Sequence, residues 1–414
     1  MKVLISAYAC EPGLGSEPGV GWNLIQEVGK YHQVWVLTSN CHRQGIEKEL
    51  ARNPQPNIHF IYFDPLGWVL NWSRGGKGVQ LHYYLWQIRA YFISRLFHQK
   101  VNFDVVHHVT YVKYSSPSFI SLLPVPFIWG PVGGGESTPK EFWQDFSLRA
   151  KIYEIARLAA RYAGELDPFV HLTAKKSTII RATTDDTAKR LYKMGVHHVQ
   201  IASESGLSTE EIVNLAQYKI PNGLTVRFIS MGRLLHWKGF HLGLQAFAEA
   251  NLPDAEYWIL GDGHESNRLH ALSEELGISQ KVKFWGRLPR VNSLSKLEEC
   301  HVLIHPSLHD SGGWVCLEAM AAGRPVICLD LGGPSIQVTK ETGFKIPAHN
   351  PKQTVEELAK AITCLASDPE LRLRMGKAGQ KRIVENFSWE SQGHNLDKLY
   401  REITTLDSTC LSSN

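Results

Sequence analysis

Residues 305–333, HPSLHDSGGWVCLEAMAAGRPVICLDLGG, hold the end of one apolar run, a glycine pair, a helical pattern and a second apolar run. The full first run, HVLIHPS, predicts a buried strand, and PVICLDLGG predicts the next one. A strand, a helix and a strand in succession are typical of a parallel sheet. The sequence therefore predicts a doubly wound Rossmann-like domain around this stretch.

The turn into this helix also predicts an anion-binding site. The backbone amides of Gly312, Gly313 and Trp314 would lie at the helix N-terminus, where the helix dipole favours an anionic oxygen. Asp310 would end the strand, and Glu318 would lie just inside the helix. Because bare carboxylates repel phosphate, we expect these two to accept hydrogen bonds from sugar and ribose hydroxyls.

Two basic residues precede this stretch in SMGRLLHWKGF, residues 230–240. Arg233 would end a strand, and Lys238 would lie in the loop that enters the next helix. Together they would stabilise the negative charge on a departing phosphate, so no metal would be required. Taken singly, each is equally well explained as a solvated surface charge.

The alternation of short β-rich runs with helical patterns extends along the whole chain. It predicts an α/β protein with two doubly wound Rossmann-like domains that face each other across a cleft. Pro221, Asn222 and Gly223 indicate a linker. The predicted division is an N-terminal domain, a linker, a C-terminal domain and a last helix that returns to the first domain, at residues 1–205, 206–223, 224–387 and 388–414.

Four motifs in this order resemble a known family: G-R-x4-K-G-F, L-G-D-G, F-W-G-R-L and H-P-S-x-x-[DE]-x7-E-A-M-A-A-G-x-P-V. They resemble the C-terminal half of the retaining glycosyltransferases of family four, group 1 glycosyltransferases with the GT-B fold. The resemblance implies transfer of a sugar from a nucleotide diphosphate sugar to an acceptor hydroxyl in glycan, polysaccharide or glycolipid biosynthesis. It implies no metal and no cofactor, since the nucleotide sugar is a substrate, and a glycan, lipid-linked or small-molecule acceptor.

The resemblance also assigns roles by position. It implies that Asp310 holds hydroxyls of the donor sugar, Glu318 holds the ribose, and Arg233 and Lys238 bind the phosphates. Because the family usually has Glu where this chain has Asp310, the donor sugar stays undefined. The resemblance further implies donor or nucleotide contacts at Gly15, Gly19, Gly232, Gly261, Arg287, Leu288, Gly312, Gly313 and Trp314.

One family histidine cannot be assigned to a single position. The histidine that faces the donor sugar should lie in VVHHVT, but the usual H-x-H spacing is absent. Both His107 and His108 therefore remain catalytic candidates. The alternative for either one is a buried, hydrogen-bonded histidine of the core.

The first glycine-rich loop, ACEPGLGSEPGVGW at residues 9–22, resembles the phosphate-binding turn of a dinucleotide-dependent enzyme only weakly. The spacing of Gly13, Gly15 and Gly19 is one residue too long for a dinucleotide fingerprint, and the second strand does not end in an acid. A nicotinamide-dependent oxidoreductase is therefore the first alternative. A non-catalytic protein that binds glycans or scaffolds other enzymes is the second.

Composition limits the partners and the compartment. A formal net charge of +4 over 414 residues argues against a nucleic-acid partner. Seven scattered cysteines without a C-x-x-C pair favour a reducing cytoplasm. Residues 66–100 are basic, aromatic and free of Asp and Glu, which fits either peripheral contact with anionic lipid at the inner face of the membrane or a core helix.

Overall fold

A computed structural model describes residues 1–65 and 78–411, which form two compact units. The first unit contains Met1–Gly135, Arg157–Glu204 and Trp389–Asn414, and the second contains Glu136–Ala156 and Ser205–Ser388. This division differs from the one drawn from the sequence at two segments. Residues 136–156 belong to the second unit, and residues 206–223, expected to be a linker, also belong to it and contain a helix.

Each unit is built on one sheet of parallel strands. The first sheet has the order β3-β2-β1-β4-β5-β6-β7, and the second has the order β10-β9-β8-β11-β12-β13. The strands of the first sheet are β1 Lys2–Ala7, β2 Gln33–Thr38, β3 Ile58–Tyr62, β4 Val105–Thr110, β5 Phe127–Val132, β6 Ile179–Ala182 and β7 Val199–Ile201. Those of the second are β8 Val226–Met231, β9 Ala255–Leu260, β10 Val282–Gly286, β11 Val302–His305, β12 Val326–Leu329 and β13 Gly343–Ile346.

Helices connect these strands, as the alternating pattern predicts. In chain order they are α1 Ser16–Gly29, α2 Arg43–Arg52, α3 Val79–Val101, α4 Leu148–Glu165, α5 Pro168–Lys176, α6 Asp185–Lys193, α7 Thr209–Ala216, α8 Phe240–Ala250, α9 Ser266–Glu275, α10 Arg290–Ser295, α11 Trp314–Ala321, α12 Gly332–Gln337, α13 Pro351–Ser367, α14 Pro369–Arg382 and α15 Trp389–Leu411. The prediction of an α/β fold with two Rossmann-like domains is confirmed.

Each sheet has one point where the strand order reverses. In the first sheet the chain proceeds outward in both directions from β1 and β4, and in the second from β8 and β11. The loops that follow these two strands diverge and leave a crevice at the carboxyl end of the sheet, where open α/β folds bind ligands. Both units therefore have a defined place for a site.

The last helix, α15, begins at Trp389 and packs on the first unit, as predicted. It lies against α1, where Gly393 approaches Glu27 so closely that an added Cβ would meet its Cβ at 2.5 Å. Farther along the helix, the Tyr400 hydroxyl lies 2.6 Å from Nδ1 of His107 on β4. The last helix is therefore fastened to the core of the first sheet.

The acid-free segment is only partly described, because residues 66–77 lie outside the described range. The remainder forms α3, which buries Tyr83 and Trp86 in the first unit and leaves Phe92 and Leu96 58% and 61% exposed. The face of α3 that carries Tyr83 and Trp86 therefore packs in the core. The predicted lipid contact concerns the exposed face, which carries Phe92 and Leu96. Within residues 1–65 and 78–411, every helix is too short or too polar to span a membrane.

Gly261, which follows β9, cannot carry a side chain in this fold. Its φ is +139°, and an added Cβ would lie 1.8 Å from the carbonyl oxygen of Gly232, which follows β8. We expect Gly261→Ala to lower the free energy of unfolding by at least about 2 kcal/mol, because it combines a strained φ with a backbone clash. Urea unfolding would measure this loss. Gly15→Ala is the matched control, since its Cβ would meet no atom within 4 Å.

Candidate functional site at the ends of β8 and β11

The loops after β8 and β11 bring Lys238 and Asp310 together. Lys238 Nζ lies 2.5 Å from Oδ2 of Asp310, and both side chains are 18% exposed. The two loops are also joined through their backbones, since the Leu308 amide donates to the Trp237 carbonyl at 2.8 Å. The predicted phosphate-binding lysine and the predicted sugar-binding acid therefore meet where the strand order of the second sheet reverses.

Asp310 is held in its ionised form by its neighbours. Burial alone would raise the pKa of its carboxyl, but Lys238 and the His305 ring, whose Nε2 lies 3.1 Å from Oδ2, together hold the pKa well below its usual range. An ionised carboxylate accepts hydrogen bonds and cannot donate a proton. This side chain is therefore suited to hydroxyl donors and not to general-acid chemistry.

The turn into α11 differs from the prediction in how its amides are used. Gly313 has a φ of +55° and precedes the helix, as expected for its N-terminus. Its amide, however, donates to Oδ1 of Asp310 at 3.3 Å, because the aspartate side chain folds back over the turn. The expectation that the Gly313 amide is free for an anion is therefore wrong in the structure described. In the same turn, the carbonyl oxygen of Gly312 accepts a hydrogen bond from the Ser205 hydroxyl at 2.8 Å.

Glu318 lies inside α11 and is paired with a residue that the sequence analysis did not select. It is 5% exposed, and its Oε1 accepts a short hydrogen bond from Nη1 of Arg290. Nη2 of the same guanidinium donates to Glu211 at 2.7 Å. Burial raises the pKa of Glu318, and Arg290 opposes that rise. Arg290 is the last residue of the stretch F-W-G-R-L-P-R and comes two residues after Leu288, a predicted site residue. This proximity is the sequence feature that could have identified Arg290.

The other predicted residues of the second unit lie at the carboxyl ends of neighbouring strands. Gly232 and Arg233 follow β8, Gly261 follows β9, and Arg287 follows β10. Arg233 and Arg287 are exposed, and within the described residues the Arg233 guanidinium makes no ion pair. Leu288 packs against the core of the second unit, and Trp314 is the first residue of α11. These residues therefore share one end of the sheet.

The two histidines of β4 occupy different environments. His107 is fully buried and uses both ring nitrogens inside the first unit: Nδ1 with Tyr400 and Nε2 with the Gly130 carbonyl, each at 2.6 Å. His108 is 1% exposed and lies 3.0 Å from the Tyr83 hydroxyl. Burial lowers the pKa of both rings to about 3. His107 is therefore the buried, hydrogen-bonded core residue given as the alternative, with no ring nitrogen left for a ligand.

A cavity of about 580 Å³ opens at the ends of β1 and β4 in the first unit. Two of its lining residues, Ser16 and Tyr111, have φ of +59° and +60°, which is rare for residues with side chains and is common at ligand sites. The Tyr111 amide donates to Oε2 of Glu17 at 3.0 Å, so this carboxylate fastens the two loops together. The cavity has the size of a small-molecule site.

Gly15 and Gly19 belong to the loop and helix beside this cavity. Gly15 is the N-cap of α1, and Gly19 lies within the helix. An added Cβ on Gly19 would lie 2.1 Å from the Leu14 carbonyl oxygen, so the glycine lets the loop fold against its own helix. Their predicted contact with the donor stays a prediction.

A comparison with protein families finds a match within the second unit. Residues 218–382 match the model described as "Glycosyl transferases group 1". This region is similar to group 1 glycosyltransferases. It contains every predicted site residue of the second unit, from Gly232 to Glu318.

Curated relatives match about half of this chain and about half of their own length. The lipopolysaccharide core biosynthesis glycosyltransferase LpsE of Rhizobium meliloti is 30% identical over 220 residues, which are 52% of this chain and 62% of that protein. The D-inositol 3-phosphate glycosyltransferase of Corynebacterium jeikeium is 32% identical over 183 residues, 42% of either chain. The chain therefore spans about half the length of these relatives.

Solved structures match both units of the chain. Sucrose-phosphate synthase from Thermosynechococcus elongatus has a TM-score of 0.63 at 17% identity and covers 98% of this chain and 99% of its own. HepE of Anabaena in complex with UDP and glucose has a TM-score of 0.57 at 18% identity and covers 100% of both chains. At such identities the likeness concerns the fold alone, and it confirms the GT-B fold that the resemblance implied.

Proposed function

We propose that this chain is a retaining, metal-independent glycosyltransferase that moves a sugar from a nucleotide diphosphate sugar to an acceptor hydroxyl. The observation that carries the proposal is the pairing of Lys238 with Asp310 where the strand order of the second sheet reverses. A lysine for phosphate and an ionised acid for hydroxyls, side by side, fit a ligand that carries both groups. HepE of Anabaena, whose fold is similar, was solved with UDP and glucose.

Each charged residue of the site has a part in holding this donor. Lys238, with Arg233 in the same loop, binds the diphosphate, while Asp310 accepts hydrogen bonds from the sugar hydroxyls. Glu318 accepts from the ribose, and the Arg290 guanidinium paired with it favours the ionised form of this buried carboxylate. The nucleotide base lies against the main chain of Arg287 and Leu288. These assignments use basic side chains for the phosphates and need neither a metal nor a cofactor.

The chemical step that we propose is a front-face displacement. As the bond from the sugar to the diphosphate breaks, negative charge grows on the departing phosphate oxygen, and Lys238 stabilises it. That oxygen takes the proton of the acceptor hydroxyl, which attacks from the same face. No side chain near the donor then needs to act as a base, in agreement with the low pKa of Asp310.

The acceptor is expected in the cavity of the first unit. The cavity is lined by acidic, basic and hydroxyl-bearing side chains, among them Glu17, Lys113 and Tyr111, which suit a ligand rich in hydroxyl groups. A glycan, a lipid-linked sugar or a small polyol fits this description. LpsE of Rhizobium meliloti, a relative in sequence, acts in lipopolysaccharide core biosynthesis by its name, which supports glycan or glycolipid synthesis.

We further propose that the protein works in the cytoplasm, at the inner face of the membrane. The six cysteines with described side chains form no disulfide with one another, which fits a reducing compartment. The exposed apolar residues of α3 alternate with Arg95 and Lys100, which fits contact with anionic lipid.

Nucleotide binding tests the proposed function. We expect one of UDP, GDP and ADP to raise the melting temperature at millimolar concentration, because a ligand that binds only the folded state stabilises it by mass action. NAD tests the oxidoreductase alternative in the same assay and should give no shift. Donor hydrolysis, measured with the matching nucleotide sugars, then separates an enzyme from a binding protein. Stabilisation by NAD alone, or by none of the four, would contradict the proposal.

A further inference from the structure

We propose that Glu154 is a positioning residue of the donor site, which fixes the loop of Lys238 relative to the loop of Asp310. Glu154 comes from α4, far from both loops in sequence, and belongs to the second unit with them. The inference rests on the proposed function, since it explains how the donor-binding groups keep their separation.

The carboxylate of Glu154 contacts a histidine on each loop. Its Oε1 lies 3.1 Å from Nε2 of His236 and 3.3 Å from Nε2 of His309. All three side chains are buried: Glu154 is 1%, His236 2% and His309 9% exposed at the side chain. One carboxylate oxygen thus accepts hydrogen bonds from two imidazoles away from water.

The two histidines lie next to the donor-binding residues. His236 precedes Lys238 by two positions in the short helical turn His236–Lys238, and His309 directly precedes Asp310. Trp237, between His236 and Lys238, stacks on the His309 ring with centroids 5.2 Å apart and planes inclined by 13°. Its ring also stacks on Tyr153, at 5.2 Å and 7°. A shift of either histidine would therefore move the adjacent donor-binding side chain.

This link differs from the ion pair between Lys238 and Asp310 because it does not involve the donor. When a nucleotide sugar binds, the Lys238 ammonium must turn toward phosphate and the Asp310 carboxylate toward hydroxyls, which weakens their pairing. The buried contacts of Glu154 are unaffected by that exchange. They hold the loops in the geometry that binding and reaction require.

The physical contribution of Glu154 is a charge-assisted acceptor in a dry environment. Removing it leaves two buried imidazole N–H groups without this acceptor. Because this is unfavourable while the two loops stay in contact, the loops would tend to separate. Glutamine keeps an oxygen at the same reach and accepts the same two hydrogen bonds without the charge. Aspartate keeps the charge but is one methylene too short to reach both rings.

Three substitutions test this role: Glu154→Ala, Glu154→Asp and Glu154→Gln. We expect Ala to lower kcat/KM by about 10- to 100-fold, as displacements of about 1 Å do in active sites. Asp should behave similarly, whereas Gln should restore most of the activity. Glu249→Ala, an exposed glutamate on α8, is the matched control and should match the wild type. Melting temperatures of all variants monitor folding.

A double-mutant cycle distinguishes positioning from general stability. The binding of UDP, GDP or ADP, whichever the wild type binds, is measured for Glu154→Ala, Lys238→Ala and the double variant. If Glu154 acts through Lys238, its loss should weaken binding much less once Lys238 is absent, because coupled residues are not additive. A purely structural role would give the same loss in both backgrounds.

The outcomes separate this inference from the proposed function. If the wild type binds a nucleotide diphosphate and Glu154→Ala turns over as fast, or Gln fails to rescue a folded Ala variant, the positioning role is overturned while the function stands. If the wild type binds none of the three nucleotides, the proposed function is overturned, and the positioning role with it. If the Ala variant does not fold, the comparison of Asp with Gln gives the same decision.

Discussion

Lys238→Ala is expected to lower kcat by about 100- to 1000-fold, the loss typical of removing one group that stabilises charge in a transition state. The charge that develops on the departing phosphate would then lose its nearest cation, while Arg233 remains in the same loop. Asp310 keeps the His305 ring at 3.1 Å as a partner, but removing one member of a largely buried ion pair is destabilising, so the melting temperature is measured beside the rate to confirm that the variant is folded. Initial rates with the nucleotide sugar found in the donor screen measure the effect.

Two comparisons make this result specific to the phosphate role. Lys352→Ala removes an exposed lysine on α13 and should leave the rate unchanged. Lys238→Arg keeps the charge in a larger, planar group and should retain part of the activity. Turnover of Lys238→Ala close to that of the wild type would remove Lys238 from the phosphate site and with it the basis of the proposed mechanism.

The residues of the candidate site that could be predicted from the sequence are those that lie in an ordered motif or follow a recognisable strand. Lys238 and Asp310 lie 72 positions apart, yet each follows a strand that an apolar run marks. Parallel strands end at the same edge, so the meeting of these two side chains follows from the topology. Their proximity could therefore be predicted before any coordinates.

Residues held by distant parts of the chain could not be predicted in this way. His107 is paired with Tyr400, 293 positions later, so nothing near VVHHVT indicated that its ring was already used. Glu154 reaches His236 across 82 positions from a helix that begins outside the predicted second domain. A buried polar contact depends on packing in three dimensions, which local patterns do not encode.

Short elements and side-chain turns explain the remaining differences. The edge strands β7 and β13 have 3 and 4 residues. So few residues do not show the alternation of apolar and polar positions by which a strand is recognised in a sequence. The amide of Gly313 was expected to be free, but the Asp310 side chain accepts from it, as aspartates commonly do in tight turns. Motif spacing identified the turn correctly and left its hydrogen bonding open.

Acid is expected to unfold the protein between pH 6.5 and pH 4, because five buried histidines are neutral in the folded state. Burial lowers the pKa of each ring to about 3 or about 4, from an ordinary value near 6.5. The unfolded chain therefore binds more protons below pH 6.5, and the free energy of unfolding falls as the pH falls. These histidines are His32, His107, His108, His241 and His301.

The size of this effect is comparable with the stability of a domain. Each ring contributes about 2 kcal/mol of lost stability at pH 5, and whole domains have about 5–15 kcal/mol. Three of the five rings lie in the first unit and two in the second, so both units should lose stability as the pH falls. The buried acids Glu17 and Glu318 act in the opposite direction, since burial raises their pKa values, but there is one in each unit.

Single substitutions assign the effect to particular rings. His32→Gln should make the dependence of the unfolding free energy on pH shallower between pH 6.5 and 4, because burial holds the pKa of His32 at about 4. His197→Gln, at an exposed position of the same unit, should leave the slope as it is in the wild type. Chemical unfolding at pH 7.5, 6.5, 5.5 and 4.5, followed by tryptophan fluorescence, measures these slopes. Equal slopes in the wild type and in His32→Gln would show that the ring takes up its proton without unfolding, which its burial beside α15 makes unfavourable.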